Sequence, residues 1–426
     1  MAGISYKVNN KRGSFAVFSV MVFAAMLIMV GAAVKGAGWK AADSVSYTFG
    51  RLWGISILAE YDICLKERYG ILGFWGNEAS VAQKLDMYAD YSFSEKDYIE
   101  RSDVVCDLRG YGLDEPDNLM IQIKSIMLHG ISPEKAHDRG ETGREDRSVT
   151  SEWIIKGLPS YGRTEGSYLS GLISKLRSGM DLDEIGSGLA LNRYIAAFFK
   201  DAADDKDLPE TYFRNEVEYI ISGQLDEKDA KEKTGNNIRT LRNALNLFYL
   251  YSCAPKREAV FTLASALTPG PAVLLTQAAL MEIWAFAEAE NDMGLLYDNK
   301  TVPFIKKDSN WALSLENVFG TTDDDAKEKV TETIGDPQKA RQHEEGGYIS
   351  PQVTEGAGYQ DYLMVLLCGI GDDTKLYRIM DLIQINMKYV YRDDFLLKEY
   401  SGGLAYTMEI NGKDYSYEEA YQKDDM

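Results

Sequence analysis

The stretch Gly13–Val34, GSFAVFSVMVFAAMLIMVGAAV, contains no charged side chain and is bracketed by Lys11-Arg12 and Lys35. As an α-helix it measures about 33 Å at 1.5 Å per residue, close to the roughly 30 Å hydrocarbon core of a bilayer. Residues 13–35 therefore read as a transmembrane helix. A secretory signal would have a shorter apolar region ending in a small-residue cleavage site, and Ala-x-Ala-like spots near Ala32 and Ala37 leave that alternative open. Lys7, Lys11 and Arg12 precede the span without any acid, whereas Lys35 and Lys40 follow it diluted by Asp43. The positive-inside bias makes residues 1–12 a basic cytoplasmic tail and places everything from about residue 36 outside.

A body of this length with 45% hydrophobic and 11% aromatic residues can bury a large core, as one large or two smaller domains. The net charge of −20 argues against nucleic acid or anionic lipid as a partner. The many acids are read as mostly solvated surface. Cys64, Cys106, Cys253 and Cys368 are widely spaced and form no Cys-x-x-Cys pair; buried free thiols and one or more bridges both remain open.

The helical pattern continues past the span. Residues 39–70 place Val45, Phe49, Leu52, Trp53, Ser56, Ile57 and Ala59-Glu60 at three- and four-residue intervals, which predicts an amphipathic stalk helix with one buried face and Gly70 as its C-cap. Gly36, Gly38, Gly50 and Gly54 are weak points in it, with a bend expected near 36–38. Helix is expected over 78–100, a short strand over 101–108 and a helix over 114–130. Residues 36–132 thus hold the stalk and the first part of a head, and the polar stretch 133–150 reads as a loop or linker.

From 151 to 426 the chain reads as a mainly helical extracytoplasmic domain. Helices are expected at 151–158, 166–178, 187–200 and 210–222. Three more fill the apolar region 238–296, broken near Pro255, Pro269 and Pro271. Residues 271–287 carry only Glu282, but that is short for a span and the acid is unfavourable in lipid, so they read as a core helix. Residues 321–358 are acidic and aperiodic, expected as a flexible loop. Helices return at YQDYLMVLLCGI and TKLYRIMDLIQINMKYVY. Two alternating runs about Asn411-Gly412 signal a terminal β-hairpin, with strand 103–108 as a possible partner. The fold class is helix-dominated α+β.

No HExxH, GxSxG, Walker loop or GxGxxG occurs, so no catalytic, cofactor-binding or metal-ligating residue is assigned and no cofactor is implied. Of the histidines, His137 and His343 lie in polar loops and His129 ends a helix. Glu60, Asp62 and Glu67 solvate or cap one helix rather than doing acid-base work. The Asp323-Asp324-Asp325 run lacks the spacing of a calcium loop. Trp53, Trp75, Trp153, Trp284 and Trp311 read mostly as core rather than as a stacking platform.

Lys11-Arg12-Gly13 followed by SFAVF, ILAEYDICLKERYGILGF at 57–74, EVEYIISGQ at 216–224, IRTLRNALNLFYLY at 238–251, LMEIWAFAEAENDMGLLYDNKTVPFIKKDSNWALSL at 280–315, and DYLMVLLCGI with YRIMDLIQINMK at 361–388 together resemble an uncharacterised family. Its members are single-span proteins of Gram-positive bacteria whose genes tend to accompany tight-adherence (Tad) pilus genes. The resemblance implies a pilin-like N-terminus with Gly13-Ser14 as the processing site. Pilin families usually place a Glu five residues after the cut, where this chain has Phe18. Ala16, Ala24, Ala25, Gly31, Ala32 and Ala33 would let another helix approach the span closely, compatible with a helix-mediated oligomer.

The expected function is a membrane-anchored extracytoplasmic structural or accessory component of a tight-adherence, type IV-like pilus or secretion system, without catalysis. Its partners would be the membrane and other pilus or surface proteins. A ligand-binding or adhesin head is the alternative, and a carboxylate-dependent wall-glycan hydrolase a more distant one.

Overall fold

The computed structural model describes residues 11–94, 96, 98–131, 157–161, 182–203, 208–320, 326, 328, 330 and 348–421, without the side chains of 11–14 and 182–187. The tail before Lys11, the polar stretch 133–150, most of the helix expected at 151–158, the helix at 166–178 and most of the acidic insertion lie outside the described residues. What is described is helix-dominated α+β, with a long apolar N-terminal helix and a C-terminal antiparallel sheet.

Helix α1 runs unbroken over Lys11–Leu58, so Gly36 and Gly38 do not interrupt it. It ends earlier than its periodicity suggests because Tyr61 leaves to bridge Phe74, and the Asp62 N–H donates to the Gly73 carbonyl at 2.8 Å. The remaining turns form a separate helix α2, Ile63–Tyr69. Gly70 caps it as expected: its φ is +70°, and its N–H donates to the Lys66 carbonyl at 2.7 Å.

The chain divides into two compact units assembled from discontinuous segments, one of residues 1–62, 72–115 and 398–426, the other of 63–71 and 116–397. In the first unit the buried stripe of α1 is Ala42, Ser46, Gly50, Trp53 and Ile57, whereas Leu52, Ser56, Ala59 and Glu60 of the expected face are exposed. Helix α3, Glu78–Phe93, starts at a capping box between Asn77 and Ser80. Strands β1 (Phe74–Trp75) and β3 (Tyr400–Ser401) form a two-stranded pair. The three-stranded sheet has the order β2-β4-β5, with β2 over Val105–Asp107, β4 over Gly403–Ile410 and β5 over Lys413–Ala420, all antiparallel. Asn411 and Gly412 adopt φ of 53° and 78°, the I′-type turn that suits a right-twisted hairpin. The core joins Trp53, Leu85, Phe93, Tyr406 and Met408, with the Trp53 and Phe93 rings edge-to-face at 5.3 Å.

Gly50 and Gly54, expected as weak points of the helix, are the places where the hairpin seats on it. A Cβ on Gly50 would lie 2.1 Å from two ring carbons of Tyr417, and one on Gly54 would lie 2.8 Å from Cγ of Glu419. The Tyr417 hydroxyl donates to the Ser46 carbonyl at 2.9 Å, and the Tyr406 hydroxyl donates to the Gly50 carbonyl. These bonds hold the rings in place. Gly50→Ala gains about 1 kcal/mol of helix propensity but overpacks this contact by about 1–3 kcal/mol. A lowered thermal midpoint of the full chain in detergent is expected; an unchanged or raised midpoint would show that the Tyr417 ring yields freely.

The second unit contains α2 and α4 to α12. These last are Pro116–Leu128, Leu182–Phe198, Glu216–Ser222, Glu227–Ser252, Ala254–Leu267, Val273–Tyr297, Leu315–Phe319, Tyr359–Cys368 and Asp372–Val390. Helix α7 begins well before the expected start at Ile238. It is capped by Asp226, whose side chain accepts from the N–H groups of Lys228 and Asp229. Its polar first turns bury only small groups, Ala230, Thr234 and Gly235, which is why no apolar period announces them. One core cluster gathers Leu250, Val260, Ala264, Leu280, Trp284, Trp311 and Phe319. Helix α12 is buried along most of its length, through Leu376, Ile379, Leu382 and Ile383 among others. Helix α9 is a core helix from Leu280 onward, so the core reading of 271–287 holds for its second half, whereas Leu274 and Leu275 in the first half are exposed. Residues 348–358, expected as the end of a flexible loop, are tied down: Val353 N–H donates to the Ser309 carbonyl at 3.0 Å, and Val302 and Ala357 exchange backbone bonds of 2.8 and 3.0 Å.

Candidate functional site

Two features carry unusual physical chemistry, an apolar helix without neighbours and a set of ionisable side chains without solvent. The first is the N-terminal half of α1. Phe15, Phe18, Val20, Met21, Phe23, Ile28 and Met29 are each at least 64% exposed. Among the described residues α1 is the one helix long and apolar enough to cross a membrane, and its apolar window is 0% buried. Gly13 and Ser14 lie in its first turn. Ala16, Ala24, Ala25, Gly31, Ala32 and Ala33 are all exposed, and nothing comes within 4 Å of a Cβ built on Gly31. At 100° per residue Ala24, Ala25, Gly31 and Ala32 fall within an arc of about 120°, a strip of low relief along the helix.

The second feature is a set of acids that stand apart from the solvated surface expected of most. Glu216, Glu218, Glu288, Asp292 and Asp381 are all fully buried in the second unit. In α7 and α9, Arg242 and Asn246 face Glu288 and Asp292, each pair one helical turn apart. Arg242 Nε donates to Asp292 Oδ2 at 3.0 Å, and its Nη atoms donate to the carbonyls of Pro303 and Phe304 at 2.9 Å and to Asn246 Oδ1 at 2.8 Å. Lys306 Nζ donates to Asp292 Oδ1 at 2.6 Å and pairs with Glu288. Glu288 also accepts the N–H groups of Ala312 and Leu313, at 2.8 and 2.9 Å. Burial pushes the Glu288 carboxyl upward, against the pull of the Lys306 ammonium. Two acids and two bases neutralise one another, and their remaining donors and acceptors are consumed by the backbone of 303–313. The cluster clamps that segment across α7 and α9. A closed, charge-balanced arrangement of this kind holds structure together; its polar atoms are already occupied by one another.

Glu216 and Glu218 lie on α6 and accept hydrogen bonds from neutral donors. Glu216 accepts Lys200 N–H at 3.0 Å and Asn386 Nδ2 at 2.6 Å. Glu218 Oε1 accepts Ala202 N–H at 2.9 Å and the Tyr359 hydroxyl at 2.8 Å, while its Oε2 is buried without a hydrogen-bond partner among the described residues. Burial raises both carboxyls to about 7, against the hydrogen bonds each accepts. A carboxyl with one bonded and one unbonded oxygen in an apolar surrounding is held best as the neutral acid.

The other sequence candidates are not brought together. Glu60 pairs with Lys84 and accepts the Tyr88 hydroxyl at 3.0 Å, Asp62 accepts the Tyr400 hydroxyl at 3.1 Å, and Glu67 belongs to the other unit. Trp53, Trp284 and Trp311 are buried, whereas Trp75 is exposed with its indole N–H on Glu399 at 3.1 Å. The four cysteines are thiols and not disulfides; Cys106 is buried, and burial pushes it up to about 12. Trp153, His137, His343 and Asp323 to Asp325 lie outside the described residues. Among the described residues no group of three or more His, Cys, Asp or Glu side chains is placed to hold a metal ion.

This is a helix-dominated α+β protein that carries, among the described residues, one helix whose exposed apolar N-terminal half is of membrane-spanning length, together with a unit that has an ionic core. The chain belongs to a family of unknown function, DUF5702, whose model matches residues 140–412. That match takes in most of the second unit and strand β4, and begins beyond α1. No curated protein and no solved structure matches the chain.

Proposed function

We propose that this protein is a membrane-anchored structural or accessory component of an extracytoplasmic assembly, held by α1 with its N-terminus in the cytoplasm and its body outside. The observation that carries the reading is the complete exposure of an uncharged helical segment of bilayer length. Left in water, each large apolar side chain forgoes about 1.5–3 kcal/mol of burial, which a lipid environment supplies for all of them at once. The basic flank Lys7, Lys11 and Arg12 supports the orientation. The narrower assignment to a tight-adherence, type IV-like pilus or secretion system rests on the resemblance of the N-terminal and interior segments to proteins of that genetic setting. The exposed strip of small residues supports packing of α1 against another helix, in the membrane or in a filament.

The test is the intact mass and N-terminal sequence of the chain from carbonate-washed membranes and from any shed surface fraction. A start at Met1 or Ala2, confined to membranes, is expected for a static anchor. A start at Ser14 would mean pilin-type processing despite Phe18, and would make filament incorporation the mechanism. A start between residues 33 and 40 would mean that the helix is removed as a signal, and the anchoring reading would fall.

A further inference from the structure

Within the first unit, side-chain contacts fix the direction of the β-hairpin against α1. Asp43 pairs with Lys413 and accepts the Tyr415 hydroxyl at 2.7 Å. Further along both elements, the Tyr417 hydroxyl reaches the Ser46 carbonyl at 2.9 Å, Arg51 Nε lies 3.4 Å from Glu419 Oε1, and the Tyr421 hydroxyl donates to the Leu58 carbonyl. The chain from Tyr415 to Tyr421 covers about 20 Å as strand, and that from Asp43 to Leu58 about 22 Å as helix. Strand β5 and α1 therefore run side by side in the same sense. The turn Asn411-Gly412 lies at the end of the hairpin nearest the apolar half of α1. Asn411 pins that turn: its N–H donates to the Glu100 carbonyl at 2.8 Å, its side-chain oxygen accepts Glu100 N–H at 2.9 Å, and its Nδ2 donates to the Tyr98 carbonyl at 3.0 Å. Among the described residues nothing comes within 4 Å of a Cβ built on Gly412, so the outer side of the turn is open.

We infer that this turn stands on the lipid surface, with Asn411, Gly412 and Lys413 touching the zwitterionic headgroups of the bilayer that α1 enters and so setting the height of the first unit above it. The inference deepens the anchoring reading and rests on it. The uncharged run ends at Val34, and Asp43 lies about 14 Å further along the helix. Gly412 lies about 10 Å back from Tyr415 along the strand, which puts the turn about 4 Å beyond the level of Val34. The headgroup layer is about 5–8 Å deep on each side of the hydrocarbon. A tilt of about 20°, usual for a span, moves a point roughly 10 Å off the helix axis by about 3 Å and keeps the turn within that layer. Side chains of α1 mark the same level. Trp39 is 61% exposed, with Lys35 Nζ 5.8 Å from its ring centroid. It lies about 8 Å beyond Val34, where an indole sits among headgroups and a neighbouring ammonium meets phosphate. The charges around the turn also fit a headgroup without net charge. Lys35, Lys40 and Lys413 are matched by Asp43, Glu100 and Asp414, so a phosphate and its ammonium each find an opposite sign.

The experiment uses the full chain reconstituted into phosphatidylcholine vesicles that contain a phosphatidylcholine with a diazirine on its headgroup or, in parallel, in its acyl chain, photolysed and mapped by peptide mass. Acyl adducts are expected within residues 15–34. Headgroup adducts are expected within 35–40 and 409–414, and not within 418–421 at the far end of the same strand. In a variant with seven uncharged helix-forming residues inserted between Lys40 and Ala41, α1 keeps its phase to within about 20° and the first unit rises by about 10 Å. That lift exceeds the depth of the headgroup layer, so the variant is expected to keep the adducts at 35–40 and lose those at 409–414 by about fivefold or more. Headgroup adducts at 35–40 without any at 409–414, or with as many at 418–421, would overturn the seating of the turn and leave the anchor in place. Adducts at 409–414 that survive the insertion would overturn it as well, because α1 would then not set the height of the turn. Absence of acyl adducts from 15–34 would overturn the anchoring reading and the seating with it.

Discussion

Arg242→Ala is expected to destabilise the second unit by more than about 4 kcal/mol, enough to unfold it under mild conditions. The guanidinium is fully buried, and its removal leaves the Pro303 and Phe304 carbonyls and Asn246 Oδ1 without their donor. It also leaves two acids, Glu288 and Asp292, against the single cation Lys306 in a site buried from solvent. Breaking a buried pair from one side costs about 3–5 kcal/mol, and the cavity left by the side chain adds to that. Removing both partners is a different operation. Arg242→Met combined with Asp292→Leu keeps the neutral Lys306–Glu288 pair, so the double variant is expected to be more stable than Arg242→Met alone, a coupling that a double-mutant cycle reads directly. Urea unfolding of the full chain in detergent, followed through the fluorescence of Trp284 and Trp311 in the adjacent core, measures all of these. A loss below about 1 kcal/mol for Arg242→Ala would mean that the cluster is not a clamp.

Stability is expected to fall as the pH rises from about 5 to about 8, the reverse of what an acidic protein held by surface salt bridges would show. Glu216 and Glu218 titrate near 7 in the folded chain and near 4.5 when unfolded. The folded state therefore binds more protons between those values. The contribution of each carboxyl is fully present below about 4.5 and is lost as the pH climbs through about 7, amounting to about 3 kcal/mol per group. Asp43, Asp107 and Asp298 work in the opposite sense, since hydrogen bonds from Lys413, Arg109 and Tyr348 respectively hold their carboxyls low, and their contribution disappears only at still more acid pH. A stability maximum near about pH 5 follows. Glu218→Gln keeps an oxygen for Ala202 and Tyr359 and cannot ionise, so it is expected to raise the thermal midpoint at about pH 8 and flatten the slope below it. Because the net charge of −20 also weakens toward acid pH, the comparison of variant with parent isolates the buried carboxyl. A midpoint in the parent that is level or rises over the same pH range would refute the assignment.

The legible parts of the fold are those written in contiguous residues. Gly13–Val34 announces an apolar helix, Asn411-Gly412 a hairpin, and Pro116 with Gly130 the two ends of α4, since helix periodicity, turn conformation and capping depend on neighbours in sequence. Pairing of strand 105–107 with the hairpin is within reach because both have short alternating patterns. The buried acids are not. Glu288 and Asp292 follow Trp284 at successive helical turns on an apolar face, and charged residues inside such a stripe are a signal that they are buried. Their partners stand at 242 and 306, and no spacing rule connects those positions.

A helix of membrane-spanning length, a helical body and a terminal hairpin are all dictated by local sequence, because each follows from periodicity or from the backbone preference of a few adjacent residues. It takes the packed chain to establish that Gly50 and Gly54 seat a sheet, that α1 stops at Leu58, that Glu216, Glu218, Glu288, Asp292 and Asp381 lie in the core and that Leu274 and Leu275 do not. Burial is a property of what approaches a side chain from elsewhere in the chain. Whether a glycine is a weak point or a contact, and whether a carboxylate is a solvated ion or a neutral acid, is fixed by that approach.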